Sequence, residues 1–362
     1  MRKEHINSKG RNETQPTPGD LLKIAVDVHA AFFVVACQMD GSMPKPVQKL
    51  RPEAFIDWLT KQIPTAGKVV CCYEAGPTGF WLHRRIVALG ITNYVVCPTC
   101  LDSRKKGVNT DKTDAKELLS RLDRYVAGNQ RAFSIVRVPT LEEEQRRVLP
   151  RQRQQLRQTR LSLASRGRCL LLLHGIRVTN AWWKPAMWNL MQNRLPPWLL
   201  DHLAVLQQLI DTVHDQVMKL TRQLRQKAAP VRPKGLGAMC MEQIDSEVCD
   251  WGRFKSARRA GGYTGLTGGV SGSGSKSADL SITKAGNKRL RTMLVELAWR
   301  LSRLQPKYWL VEKWKHVLLN PRAHARRRKQ VIVAFARQLF VDLWKWRTGR
   351  VTGESLGWIM NS

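Results

Sequence analysis

Leu22-Lys-Ile-Ala-Val-Asp-Val28, followed by Ala31-Phe-Phe-Val-Val-Ala-Cys-Gln-Met39 and the short run Val47-Gln-Lys-Leu50, decides how the N-terminal part of the chain is read. Each run is rich in β-branched or aromatic residues and has the length of a strand, and three in a row describe an antiparallel meander. A helix is expected over Pro52–Gln62, a buried strand over Lys68–Tyr73, a helix over Gly79–Leu89 closed by Gly90, and a strand over Thr92–Cys97. The order strand-strand-strand-helix-strand-helix-strand-helix is that of the ribonuclease H-like fold, so residues 21–139 are expected to form an α/β domain.

On either side the pattern changes. Residues 1–20 are polar, basic and punctuated by proline and glycine, as in a flexible arm. Thr140-Leu-Glu-Glu143 has capping-box form and opens a basic helix to about Leu173, which Pro150 is expected to kink or split. Leu203, Leu206, Ile210, Val213, Val217, Leu220 and Leu224 follow a 3-4-3-4 spacing, the seam of a coiled coil. Residues 140–229 therefore read as a helical stem, either a hairpin or a dimer contact, with an ordinary amphipathic helix as the plainer alternative. Ala228-Ala-Pro-Val-Arg-Pro233 ends it. Residues 230–350 read as a mainly helical unit with a helix over Met239–Cys249, and 351–362 as a tail. Within that unit, Lys234-Gly-Leu-Gly237 either offers backbone amides to a phosphate or simply caps a helix.

The charge is strongly one-sided: 61 Lys+Arg face 28 Asp+Glu, formally +33 over 362 residues, with an isoelectric point near 10.6. Basic runs at Arg151-Gln-Arg-Gln-Gln-Leu-Arg157 and Arg322-Ala-His-Ala-Arg-Arg-Arg-Lys329 would release counterions from a nucleic acid, giving salt-dependent binding. The eight cysteines lie mostly in apolar runs and the N-terminus has no secretory core, which points to reduced thiols in a cytoplasm. Cys97-Pro-Thr-Cys100 has zinc-knuckle or redox spacing, but no second pair stands near to complete four ligands, so structural thiols are expected. No apolar run approaches the ~20 residues of a membrane helix.

Against this basic background Asp27, Glu74, Asp111 and Asp114 stand out. Asp27 and Glu74 end expected neighbouring strands, and Asp111 and Asp114, three apart at a helix start, share one face. Four converging carboxylates repel unless a cation neutralises them, which suits Mg²⁺, one or two ions, held over a phosphodiester. Taken singly, each acid also fits a helix cap, a first-turn dipole partner or a strand-end residue. A second constellation is Gly268-Gly-Val-Ser-Gly-Ser-Gly-Ser-Lys-Ser277, followed by Lys284, Lys288, Arg289 and Arg291. Spacing alone makes it a flexible linker. A serine hydroxyl in it would need activation, and the cations from Lys276 to Arg291 supply positive charge nearby.

Taken together, Ile24-Ala-Val-Asp27, Tyr73-Glu-Ala-Gly-Pro-Thr-Gly79, Thr110-Asp-Lys-Thr-Asp-Ala115, Gly261-Gly-Tyr-Thr-Gly-Leu-Thr267, Ser273-Gly-Ser-Lys276 and Ile282-Thr-Lys-Ala-Gly286 resemble the DEDD transposases of bacterial insertion sequences. The family is the one numbered one hundred and ten, in particular its eleven-eleven subgroup, and the likeness runs from about Leu21 to Arg347. The resemblance implies a RuvC-like domain with metal-binding, catalytic Asp27, Glu74, Asp111 and Asp114, two Mg²⁺ per site, and a C-terminal transposase domain with nucleophilic Ser273. Ser271 and Ser275 are the alternatives, and Lys276, Lys284, Lys288, Arg289 and Arg291 the expected nucleic-acid contacts. It further implies donor and target DNA, a structured non-coding bridge RNA, a homodimer or homotetramer, and a bacterial, nucleoid-associated location. The chain departs from the family pattern at Gly268-Gly269, where Pro-Arg is usual, at Asn109 in place of lysine, and at Pro150. Two other functions remain compatible with the residues alone: a hydrolytic RuvC-like endonuclease, and a non-enzymatic basic RNA- or DNA-binding protein.

Overall fold

The computed structural model describes residues 20–98, 110–227, 230–273 and 276–361. Contacts divide the chain into two compact units, Met1–Val138 and Pro139–Ser362. The architecture is mixed α/β, and no described helix is long and apolar enough to cross a membrane.

In the first unit β1 (Leu21–Val28), β2 (Phe33–Met39) and β3 (Gln48–Leu50) form the meander. α1 (Pro52–Gln62), β4 (Lys68–Glu74), α2 (Trp81–Ala88), β5 (Thr92–Val96) and α3 (Asp111–Val126) follow. The strand order is β3-β2-β1-β4-β5, with β1 antiparallel to β2 and parallel to β4, and β4 parallel to β5. β1 is buried on both faces, and the period of two sorts its side chains. Leu22, Ile24 and Val26 join Phe55, Leu59, Leu82 and Ile86 of α1 and α2, whereas Ala25 packs with Val70, Cys72, Leu118 and Leu122 toward α3. Lys23, on the same face as Ala25, pairs with Asp123 of α3. The alternation therefore directs Asp27 and Glu74 toward α3.

The second unit opens with α4 (Leu141–Leu173), where Thr140 and Glu143 complete the capping box. Pro150 does not split it: the helix runs on for 33 residues. Pro150 is buried, and ion pairs from Arg146 to Glu242 and from Arg151 to Glu247, one on each side of it, fasten both halves of the helix to α7 (Ala238–Val248). These contacts outweigh the single backbone hydrogen bond that proline removes. After α5 (Pro185–Gln192), α6 (Pro197–Lys227) returns antiparallel along α4, with Arg153 bonded to Thr221 and Arg160 to His214. Leu203, Ile210, Val217, Leu220 and Leu224 are buried in this unit, so the heptad seam closes an intramolecular hairpin.

β6 (Arg232–Pro233), α7, α8 (Ala257–Tyr263), β7 (Gly268–Ser273), β8 (Lys276–Ile282), α9 (Lys288–Leu304), α10 (Trp309–Leu318) and α11 (Ala325–Arg347) complete the unit. Leu236, Ile244, Leu294, Leu297, Phe335 and Leu339 share one core. The expected tail is integrated in it: β9 (Met360–Asn361) pairs with β6, and Trp358 is buried. Of the cysteines, Cys37, Cys71 and Cys72 are buried, and burial pushes the Cys71 thiol up to about 12. Cys97 and Cys169 are exposed rather than structural core residues, and Cys100 lies outside the described residues.

Candidate active site

Four sequence-selected carboxylates come from three elements of the first unit. Asp27 and Glu74 end the paired strands β1 and β4, where Val26 faces Tyr73 in parallel register. Thr110 caps α3, its hydroxyl accepting from the Thr113 amide at 3.3 Å, so Asp111 and Asp114 occupy the first turn over the strand ends. Acids there are favoured by the free amides and the positive end of the helix dipole.

The electrostatics show that these groups share one space. Burial, then the Asp27 charge, raises the Glu74 carboxyl above its usual range, with Asp114 and Glu117 adding to the effect and Arg121 opposing it. Burial followed by Asp27, Glu117 and Asp111 does the same to Asp114, with His29 opposing. His29 Nε2 lies 3.0 Å from Asp27 Oδ2 and 3.6 Å from Asp111 Oδ1. One donor atom each from Asp27, His29 and Asp111 falls within 4.8 Å of the others. Carboxylate oxygens that repel one another, with one imidazole beside them, are a donor set that could hold a divalent cation.

His29 and Glu117 are not singled out by the sequence. The signal for His29 is its period: two residues past Asp27, it continues the alternation that faces α3. Glu117 follows Asp114 by three and so lies on the same side of α3, where it pairs with Arg121 at 3.1 Å.

In the second unit, the run 268–277 departs from the flexible linker that its spacing suggests. β7 and β8 form an antiparallel hairpin in which Gly268 faces Ile282, Ser271 faces Ala278 and Ser273 faces Lys276, with an irregularity between Gly268 and Val270. Ser273 is thus at the hairpin tip. Ser275 lies outside the described residues. Lys284 follows the hairpin with φ of 57°, its amide bonded to the Gly265 carbonyl. Lys288, Arg289 and Arg291 begin α9, which Asn287 caps. Arg291 donates to the carbonyls of Thr264 and Lys284, fastening the Gly-Leu-Thr motif to the end of the hairpin, while Arg289 donates to Gln154 at 3.0 Å. From α11, Arg337 reaches the Thr267 hydroxyl at 3.4 Å, so a guanidinium stands at the hairpin base although Gly268-Gly269 carries none.

The first unit thus carries an acid cluster on a mixed sheet, and the second a glycine-rich hairpin followed by lysines and arginines; the comparisons with known proteins give the class, that of the transposases. Residues 232–311, which include the hairpin, match the family described as Transposase IS116/IS110/IS902. The chain is 31% identical over 312 residues to a candidate transposase of Sinorhizobium fredii, y4rJ, covering 78% of this chain and 77% of that protein. A second S. fredii candidate transposase, y4qE, is 34% identical over 240 residues, 64% of this chain and 58% of its own length. The transposase of insertion sequence element IS1328 from Yersinia enterocolitica is 24% identical over 249 residues, 66% of this chain and 73% of its own. The chain belongs to the IS116/IS110/IS902 family of insertion-sequence transposases.

Proposed function

We propose that this chain cuts and rejoins DNA for an insertion sequence, using Asp27, Glu74, Asp111 and Asp114 as a Mg²⁺ site on a RuvC-like, ribonuclease H-like domain and Ser273 as the nucleophile. The observation that carries this is the meeting of Asp27, His29 and Asp111 within 4.8 Å, in the same field as Glu74 and Asp114. Bound Mg²⁺ would polarise a phosphate and stabilise charge on the reacting oxygens. His29, bonded to Asp27, holds that carboxylate in one orientation.

Ser273 Oγ attacks a phosphodiester: the Oγ–P bond forms, the bond to the leaving sugar oxygen breaks, and the hydroxyl proton passes to a base while the leaving oxygen is protonated. The hydroxyl of a new strand end then attacks the phosphorus and expels serine, so no phosphodiester is lost to water. Lys276, Lys284 and Lys288 offset the phosphate charge around the hairpin. The net charge of +33 suits a structured guide RNA from the element, whose A-form duplex is read by shape and backbone.

The test uses donor DNA, target DNA and the RNA transcribed beside the reading frame. Joined product should require a divalent cation and vanish in both Asp27→Asn and Ser273→Ala, with nucleic-acid affinity retained. Full cleavage by Ser273→Ala, leaving free 5′-phosphates, would instead favour a hydrolytic nuclease using the carboxylates alone.

A further inference from the structure

The second unit contains a cavity of about 790 Å³ whose lining includes no residue of the β7–β8 hairpin. Seven arginines and two glutamates line it, a lining charge of 7 − 2 = +5. Glu247 is already committed to Arg151 at 2.9 Å. Arg153 and Arg157 enter from α4, Arg225 from the end of α6, and Arg289 and Arg300 from α9; none of these five forms an ion pair with a described carboxylate. Their contacts within the protein are to neutral groups: Arg153 to the Thr221 hydroxyl, Arg289 to Gln154, Arg300 to the Gly235 carbonyl. Burial, then the charge of Arg157, holds the Arg153 guanidinium below its usual range. Gathering guanidinium groups in a concavity is unfavourable unless an anion joins them.

The remaining wall is the first turn of α7, whose Gly237, Ala238 and Met239 line the cavity and which no side chain caps. Lys234-Gly-Leu-Gly237 therefore both starts a helix and turns its amide end toward the arginines. The planar forks of arginine and the free amides of a helix start are complementary to the same chemistry, phosphate oxygen.

We propose that this cavity binds the phosphodiester backbone of a nucleic-acid strand, with Arg153, Arg157, Arg225 and Arg289 as its cations and the start of α7 as a neutral donor wall. Only the choice of a nucleic acid as the polyanion rests on the transposase assignment. The cavity holds a strand by charge and shape rather than by base, which is the way a duplex edge of DNA or RNA is gripped.

The test is binding of the full chain, in chelator so that no DNA is cut, to duplex DNA and separately to duplex RNA of equal length across a salt series. Arg157 and Arg225 are exposed, so Arg157→Gln combined with Arg225→Gln should not lower the melting temperature. For DNA the slope of log K against log salt should become shallower by about 1.8, two contacts at ~0.9 each, and affinity near 0.1 M salt should fall at least tenfold. An effect on one polymer only assigns the cavity to that polymer. Lys315→Gln, an exposed cation paired with Glu312 on α10, is the control and should leave the slope unchanged. An unaltered slope with both polymers overturns the proposal. Because nothing is cleaved, the result is independent of whether Ser273 is the nucleophile.

Discussion

Single residues carry the tightest constraints in this chain, and two are testable without any DNA. Asp27 sits beside Glu74 and Asp114, whose carboxyls are raised first by burial and then by the Asp27 charge, so the three acids repel without a cation between them. Asp27→Asn should raise the melting temperature in chelator by an amount equivalent to about 1 kcal/mol, while abolishing the rise that Mg²⁺ gives the wild type. A wild-type melting curve that ignores Mg²⁺ would remove the metal from the account. Gly286 makes the second case: a Cβ there would fall 2.5 Å from the Tyr263 carbonyl oxygen and 2.7 Å from the Gly265 nitrogen, both backbone atoms. Gly286→Ala must push the Gly-Leu-Thr turn away from the end of the hairpin and should cost about 1–3 kcal/mol in chemical denaturation. Singly each of the four acids has an ordinary structural use, and it was their order, at two strand ends and one helix start of a basic chain, that made the grouping legible. His29 was harder to see, since a lone imidazole beyond a strand end has no signal except its register with Asp27.

At the scale of elements, periodicity served well where one face is buried and failed where tertiary contacts override local preference. β1, β2, β4 and β5 stand within a residue or two of where alternation and apolar runs set them, and α3 begins at the Thr110 cap. Pro150 reads locally as a break, yet the ion pairs that fasten α4 to α7 on both sides of it keep the helix whole. The Gly/Ser run reads locally as linker, yet cross-strand pairing from Gly268 to Ile282 makes it a hairpin, something only the partner strand could reveal. The α4–α7 clamp has a pH signature. Burial alone would raise Glu247, but hydrogen bonds from Arg151 and Asn287 outweigh it and hold the carboxyl below its usual range. With a depressed folded value, the stabilisation is complete above the unfolded carboxylate range, near ~4.3, and is lost as pH falls through the folded value. Glu247→Gln should therefore lose about 1.5–3 kcal/mol at neutral pH, with the gap to wild type closing below about pH 4 in acid titrations of stability. A gap that widens on acidification would contradict this origin.

For the whole molecule, two units with separate cores predict separable folding. Residues 139–362 enclose their own core, from Leu236 through Leu339, together with the α4–α6 hairpin. Expressed alone, they should unfold in one cooperative transition and keep the salt-dependent duplex binding assigned to the arginine cavity; a fragment without a sharp transition would show that the first unit is required for folding. Which phosphate each proposed catalytic group would meet was not readable from composition or spacing, because neither reports where a bound strand runs. The central claim is that serine, not water, takes the phosphate, and trapped reactions analysed by denaturing electrophoresis and peptide mass mapping test it most directly. The account predicts a denaturation-resistant protein–DNA adduct whose nucleotide-bearing peptide carries the modification on Ser273 and which Ser273→Ala abolishes. An adduct that survives in Ser273→Ala, or strand cleavage with free 5′-phosphates and no adduct at any time, would contradict it.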